Sequence, residues 1–439
     1  MSPVPTSTAA TVGPARGCAY TVLRRVFEQG AYADRALTAE AAELDPRDRA
    51  LAMRLAYGAV QRRGTLDHLI EQLAERPVAE LDPPLLAALR LGLYELLYLR
   101  GAPDYAVVAD AVELAKAHAR AGHGLVNAVL RRAAREGPDA LLGPLGDDTP
   151  EQAAVKHSHP EWIAQLWWQT LGAEDARALM AADNEPLEIA LRANTLVTDA
   201  DALAAQLPVR THRDPHIPEA LALEEPFDVH GSPLWKAGAF HAQSRAAMRV
   251  AHALDPQPGE RVLDLCAAPG GKSTHLAALM HGQGEVHAVE LNRRRAGGLV
   301  RTARRLHAPN VLVEVADAER WSRSGRDPQM PAFDRVLVDP PCSGLGTLQA
   351  RADLRWRITP AAVDELAQTQ RRILLAGADA LRPGGVLVYS TCTISATENE
   401  RLIAAFLDSH TEFRLDDVAV TLPHRDHTAG FYIARLRKG

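Results

Sequence analysis

Two rhythms of apolar residues divide the chain. In the first, Leu85, Leu86, Leu89, Leu93, Leu96 and Leu97 recur at three- and four-residue steps, which predicts one buried helix face. Asp82-Pro83-Pro84 ahead of them offers an N-cap followed by prolines tolerated in a first turn. Asp45-Pro46 does the same for a helix carrying Leu51, Leu55, Tyr57 and Val60, and Val107, Val108, Ala111, Val112, Leu114 and Ala115 form a further stripe. With Gly30, Gly64, Gly101 and Gly122 as punctuation, residues 14–137 are expected to form an all-helical bundle behind a short disordered tail, 1–13.

The second rhythm begins near Ala239. Short apolar runs alternate with helical stretches: Val262–Leu265, Glu285–Glu290, Val311–Val315, Arg335–Asp339 and Gly385–Tyr389 are the predicted strands. Strand–helix alternation predicts a mostly parallel sheet covered on both faces, so residues 239–439 are expected to be an α/β, Rossmann-like domain. Between the two lies a Pro/Gly-rich linker, Glu136–Pro150, and a small α+β domain, 151–238. That domain opens with helices around Trp162–Leu171 and Ala176–Ala182, then turns strand-like at Leu187–Asn194; Pro208–Pro233 gives no clear element.

Composition changes this picture little. The chain is 47% hydrophobic and 24% charged, an ordinary soluble composition with room for several cores. No apolar run reaches membrane-span length and the first residues carry no secretory signal, so a cytoplasmic, non-membrane protein is expected. The formal net charge of −6 does not advertise a nucleic-acid binder, yet Arg62-Arg63, Arg131-Arg132, Arg293-Arg294-Arg295 and Arg304-Arg305 offer local basic patches, which suffice for phosphate contacts. Four cysteines without Cys-x-x-Cys or zinc spacing suggest a reducing compartment and no metal.

Three of those cysteines lie in Gly/Pro-rich signatures. The first is Asp264-Leu265-Cys266-Ala267-Ala268-Pro269-Gly270-Gly271-Lys272-Ser273, a strand end, a glycine turn and a helix start. Such turns gather ligands at the carboxyl ends of strands. A phosphate-cradling P-loop is excluded because Cys266 stands where its first glycine belongs, and Gly-x-Gly-x-x-Gly is absent. A nucleoside without a phosphate cradle suits S-adenosylmethionine. Cys266 to Lys272 are the expected cofactor loop, Glu290 at the next strand end the expected ribose ligand, and Asp317 after the third strand the expected partner on the adenine side. Cys266 itself is expected to pack, and Cys18 to be inert.

The other signatures, Asp339-Pro340-Pro341-Cys342-Ser343-Gly344 and Tyr389-Ser390-Thr391-Cys392-Thr393, each set a thiol at a strand end. Two thiols beside a nucleoside cofactor point to covalent activation of an unreactive ring, such as carbon 5 of a cytosine. A thiolate adding at carbon 6 makes carbon 5 enamine-like, so that it can take a methyl group. Asp339, which also borders the cofactor, could hydrogen-bond the ring edge and neutralise developing charge. Spacing alone does not decide which thiol attacks.

These residues resemble the RNA cytosine-5 methyltransferases of the RsmB/Sun/Fmu type. Besides the three signatures, Asp353 and Trp356, Thr397-Glu398-Asn399-Glu400 and Gly430-Phe431-Tyr432-Ile433-Ala434 carry the resemblance. The bundle is similar to NusB, an RNA-binding antitermination protein, through Arg90–Leu96, Ala111–Lys116 and Val126–Arg132, and the segment with Arg192-Ala193-Asn194 resembles the family's small RNA-contacting domain. The resemblance implies a monomer that binds S-adenosylmethionine and acts on 16S rRNA, with Cys392 as nucleophile and Cys342 in release. Cytosine-5 modification of tRNA, or a non-catalytic RNA-binding factor, are the alternatives. Glu290, Ser244, Ala352 and Ala429 depart from the family pattern, which touches substrate positioning more than catalysis.

Overall fold

A computed structural model describes residues 12–99, 101–186, 188–321 and 331–439. Most of the expected tail, and Leu187 of the expected strand, therefore lie outside the described residues. The chain divides into two units: 1–184 with 348–357, and 185–347 with 358–439. The expected boundary at residue 151 falls inside the first.

The first unit is helical. Its core joins the helices Pro14–Gln29, Pro46–Gln61, Arg63–Ala74, Pro83–Tyr98, Asp104–His118 and His123–Leu142. Leu89 and Leu93 are fully buried, as their spacing predicts, and burial of each stabilises the fold by about 1.5–3 kcal/mol. Asp45 caps its helix by accepting from the amides of Arg47 and Asp48, whereas Asp82 makes no side-chain cap bond. Gly64 stands at the junction where the helix Pro46–Gln61 gives way to Arg63–Ala74, as its role in punctuation predicts, and a Cβ there would stand 2.9 Å from the Trp356 ring. The expected linker begins as a kink: Gly137, at φ 80°, and Pro138 interrupt the helix, which resumes to Leu142. Helices Pro150–His157, Glu161–Leu171 and Ala173–Ala182 complete the unit.

Residues 348–357 also belong to this unit, although they follow the Cys342 signature directly in sequence. Ala352 is fully buried in the helical core, and Trp356 Nε1 donates to the Val60 carbonyl at 2.7 Å. The buried Arg355 guanidinium donates to the carbonyls of Ser158 and Asp183 and to Asn184 Oδ1, at 3.0–3.1 Å. A buried cation is tolerated because these acceptors replace water.

The second unit holds two sheets. Strands β1 (Ala190–Ala193), β2 (Thr211–Arg213), β3 (Ala220–Leu223) and β4 (Phe240–Ala242) form an antiparallel sheet in the order β2-β3-β1-β4. Strands β5 (Arg261–Leu265), β6 (Glu285–Glu290), β7 (Val311–Val315), β8 (Phe333–Val338), β9 (Leu381–Thr391), β10 (Phe413–Thr421) and β11 (Phe431–Lys438) form the larger one, ordered β10-β11-β9-β8-β5-β6-β7. Five of these are parallel; β10 and β11 run antiparallel at one edge. The architecture is thus the expected one: helical bundle, small α+β segment and Rossmann-like α/β domain.

Register sets the site. Val289 on β6, Leu265 on β5, Val338 on β8 and Tyr389 on β9 pair in one line across the parallel strands. The next residues along, Glu290, Cys266, Asp339 and Ser390, therefore emerge at one level. Side chains more than 120 residues apart in sequence are brought to a single rim by strand pairing alone.

Candidate active site at the carboxyl ends of the strands

At the end of β5 the buried Asp264 accepts from Ser273 Oγ at 2.6 Å through Oδ2, while Oδ1 is buried without a partner. Burial pushes this carboxyl up to about 7. The loop that follows turns through two left-handed positions, Cys266 at φ 68° and Gly270 at φ 103°. Glycine adopts this region freely; a cysteine there is uncommon. Gly271 opens the next helix, Gly271–Leu279, where a Cβ would stand 3.1 Å from His241 Nε2. A cavity of about 250 Å³ lies over this loop, lined by Asp264, Cys266, Ala267, Ala268, Pro269, Gly271, Lys272 and Asp339 on one side and by His241 to Ser244 on the other. Burial, with the nearby acidic charges adding, pushes the Cys266 thiol far up, as a packing cysteine requires.

Glu290 is buried at the end of β6. Its Oε1 accepts from the Asn292 amide at 2.8 Å, and its Oε2 has no hydrogen-bond partner, with Arg295 Nη1 3.5 Å away. Glycines at the loop and buried acceptors left open fit a nucleoside with ribose hydroxyls to donate. Asp317 Oδ1 accepts from the Glu319 amide at 3.0 Å, capping the short turn Ala318–Arg320; neither Asp317 nor Glu290 is among the residues that line the cavity.

The two thiols meet at the ends of β8 and β9. Cys342 Sγ and Cys392 Sγ are 3.4 Å apart. Lys272 Nζ, from the cofactor loop, donates to Asp339 Oδ2 at 2.8 Å, and Ser390 Oγ donates to Asp339 Oδ1 at 2.8 Å. Burial pulls the Lys272 ammonium down, but Asp339 and the Cys392 sulfur hold it above the usual lysine value. Cys342 moves the other way from a reactive thiol: the hydrogen bond with Cys392, burial and the charges of Glu398 and Asp339 push it well up. The Cys342 loop is pinned by close backbone contacts, Gly346 N to Cys392 O at 3.0 Å and Gly430 N to Gly346 O at 2.7 Å. A Cβ on Gly346 would lie 2.0 Å from the Gly430 carbonyl.

Several residues had no role assigned from the sequence. Arg192 is fully buried on β1; Nη1 donates to Gly271 O at 2.5 Å and to Gln243 Oε1 at 2.6 Å, and Nη2 to Thr274 Oγ1 at 3.0 Å. It holds the cofactor loop from below, and Asn194, also buried, donates to Gly238 O and Leu306 O. An arginine in a strand reading Ala-Leu-Arg-Ala was the available signal. Glu219 accepts at Oε1 from His252 Nε2 at 2.7 Å and His275 Nε2 at 2.5 Å. Metal-binding histidines donate their second ring N–H to an acceptor, but His275 Nδ1 is buried without one. The buried guanidinium of Arg192 adds positive charge close by. The three side chains form a hydrogen-bonded brace. Ser244 caps the helix Arg245–Leu254 by accepting from the Ala247 amide, and Ala429 packs in the apolar core, so both departures from the family pattern serve the fold.

Comparison with known proteins is consistent along the whole chain. The family described as 16S rRNA methyltransferase RsmB/F matches residues 251–437, the NusB family matches 14–135, and the ferredoxin-like domain of RsmF/B-like methyltransferases matches 159–230. A protein of Synechocystis sp. named "Probable ribosomal RNA small subunit methyltransferase B" is 36% identical over 97% of this chain and 99% of its own. The ribosomal RNA small subunit methyltransferase B of Sodalis glossinidius is 33% identical over 96% and 97%. The crystal structure of the protein PH0851 superposes with a TM-score of 0.78 at 25% identity, covering 98% of this chain and 100% of that one.

Proposed function

The chain belongs to the RsmB/F family of 16S rRNA methyltransferases, and from that premise we propose that it methylates carbon 5 of a cytosine in 16S rRNA, with S-adenosylmethionine as methyl donor and a covalent cysteine–cytosine intermediate. The observation that carries this reading is the pair of thiols 3.4 Å apart, beside the Lys272–Asp339 ion pair and the rim of the cofactor cavity. When bound there, S-adenosylmethionine supplies an electrophilic sulfonium methyl.

Cys392 is the nucleophile. It loses its proton to solvent, the one proton the overall reaction releases, and the Lys272 ammonium stabilises the thiolate. The sulfur bonds to carbon 6 of the base, the ring's carbon 5–carbon 6 π pair moves to carbon 5, and carbon 5 takes the methyl group. Asp339, held between Lys272 and Ser390, hydrogen-bonds the ring edge where charge develops. In release, Cys342 passes its thiol proton to the departing Cys392 sulfur and takes the carbon-5 proton in exchange, so the double bond re-forms. The assignment of attack to Cys392 and release to Cys342 is the one the family resemblance implies. Glu290 accepts from the ribose, and the glycine turn lets backbone approach the cofactor.

Bisulfite mapping of total RNA from cells with and without this protein tests the reading. One protein-dependent 5-methylcytosine in 16S rRNA is expected. A site confined to tRNA would move the substrate, and methyl found on nitrogen or a ribose oxygen would overturn the covalent chemistry.

A further inference from the structure

Behind the two thiols lies a buried polar cluster that methyl transfer, as written above, does not use. Glu398 is fully buried, and every donor the structure gives it is neutral. Oε1 accepts from the Ser343 amide at 2.8 Å and from Gln370 Nε2 at 2.9 Å; Oε2 accepts from the Ser343 hydroxyl and, at 3.4 Å, from Thr393 Oγ1. Its neighbour Asn399 accepts from Thr391 Oγ1 at 2.5 Å and donates to the Thr393 carbonyl at 3.0 Å. Gln370 Nε2 also donates to the Pro341 carbonyl at 2.9 Å, and Tyr389 Oη donates to the Glu398 carbonyl at 2.7 Å. The partners are the residues immediately flanking each thiol: Pro341 and Ser343 around Cys342, Thr391 and Thr393 around Cys392.

We propose that Glu398 is a positioning residue for the reaction: its carboxylate clamps the Cys342 loop to the end of β9 and sets an acidic group against Cys342. This rests on the cysteine-based reading given above. The hydrogen bonds fix where the two sulfurs sit. The charge acts on which of them carries a proton. The groups facing Cys342 are Cys392, Glu398, Asp339 and Tyr389; the Cys392 sulfur opposes its ionisation first, and the carboxylates of Glu398 and Asp339 add to that. Cys392 has the Lys272 ammonium near it instead. The clamp thus divides two chemically identical side chains into a thiol that donates a proton and a thiolate that attacks. A buried carboxylate without a cation costs free energy unless its lone pairs are answered, and four donors answer them here.

The test is site-resolved alkylation of the full-length protein by iodoacetamide, followed across the pH range in which thiols titrate and read by peptide mass spectrometry. In the unaltered protein Cys392 should alkylate at lower pH than Cys342; equal or reversed order overturns the proposal without need of a variant. In Glu398→Gln the amide keeps the shape, and the Ser343 and Thr393 hydroxyls can turn to accept from it. The Cys342 profile should then move to lower pH by about one unit, a tenfold change in thiolate fraction. In Glu398→Asp the charge stays but the reach shortens, so the profile should stay near the original while turnover falls about tenfold or more with the KM for S-adenosylmethionine little changed. A Cys342 profile that Glu398→Gln leaves in place, with melting temperature unchanged, contradicts the charge role; full turnover in Glu398→Asp contradicts the clamp. Alkylation does not depend on methyl transfer, so a wrong substrate assignment would leave the profiles standing.

Discussion

The two halves of the site follow opposite rules. On the cofactor side, at the ends of β5 and β6, buried acceptors are left open: Asp264 Oδ1 and Glu290 Oε2 have no hydrogen-bond partner. On the thiol side, at the ends of β8 and β9, both oxygens of the Glu398 carboxylate, the Ser343 and Thr393 hydroxyls and the Asn399 amide are all engaged. An open buried acceptor costs about 1–3 kcal/mol until a donor arrives. The first half is therefore shaped to be completed by a ligand. The second is complete already, which suits the proposed role of holding two sulfurs at a fixed distance. Ligand affinity should reside in the first half and chemistry in the second.

The sharpest way to break that division is on the thiol side. Asp339→Asn keeps the shape but removes the charge that holds Lys272. Methylation should fall on the order of 10²–10⁴-fold in single-turnover assays, with the dissociation constant for S-adenosylmethionine changed much less. An equal loss of cofactor affinity would erase the contrast between the halves. On the cofactor side, Glu290→Ala should weaken S-adenosylmethionine binding ~10–100-fold in calorimetry, the value of a hydrogen bond to a charged group, and leave single-turnover rates at saturating cofactor nearly intact. Gly346→Ala attacks the pinning of the Cys342 loop. Its new carbon would overlap the Gly430 carbonyl, so unfolding free energy should drop by about 1–3 kcal/mol, measured by chemical denaturation.

The smallest expected effect concerns the brace beneath the cofactor loop. Burial, with the charge of Arg192 adding, pulls His275 and His241 down to about 3. In the unfolded chain each protonates near ~6.5. Between those values the unfolded state binds more protons, so stability is full above pH ~6.5 and declines as pH falls toward 3. Moving from pH 7 to pH 5 should cost roughly 1–2 kcal/mol per histidine, seen as a lower melting temperature, and His275→Gln should flatten the trend. A melting temperature independent of pH in that window would contradict the assigned neutral state.

Much of this was legible in the sequence where the signal is local. The runs Glu285–Glu290 and Val311–Val315 become β6 and β7 with the same bounds, because parallel strands read as short apolar runs between turns, even at the sheet edge, where β7 leaves Leu312 and Val315 exposed. The three cysteine signatures fall at strand ends for the same reason. What depends on long-range packing was not readable. Strands β2 and β3, of three and four residues, lie in the Pro208–Pro233 stretch and are too short to show alternation. Gly64 does mark a helix boundary, but that it also faces the Trp356 ring, 292 positions on, is not visible in any window of sequence. Arg192 touches Gly271 across 79 positions and Glu398 touches Ser343 across 55, so no window of sequence holds both partners.

The central claim is that the Cys392 sulfur bonds to the target base and Cys342 is needed to release it. The direct measurement is denaturing electrophoresis of Cys342→Ala after incubation with 16S rRNA and S-adenosylmethionine. A denaturation-resistant protein–RNA adduct is predicted, and its loss in the Cys342→Ala/Cys392→Ala double variant. An adduct that survives in the double variant, or normal methylation by Cys392→Ala, would contradict the account.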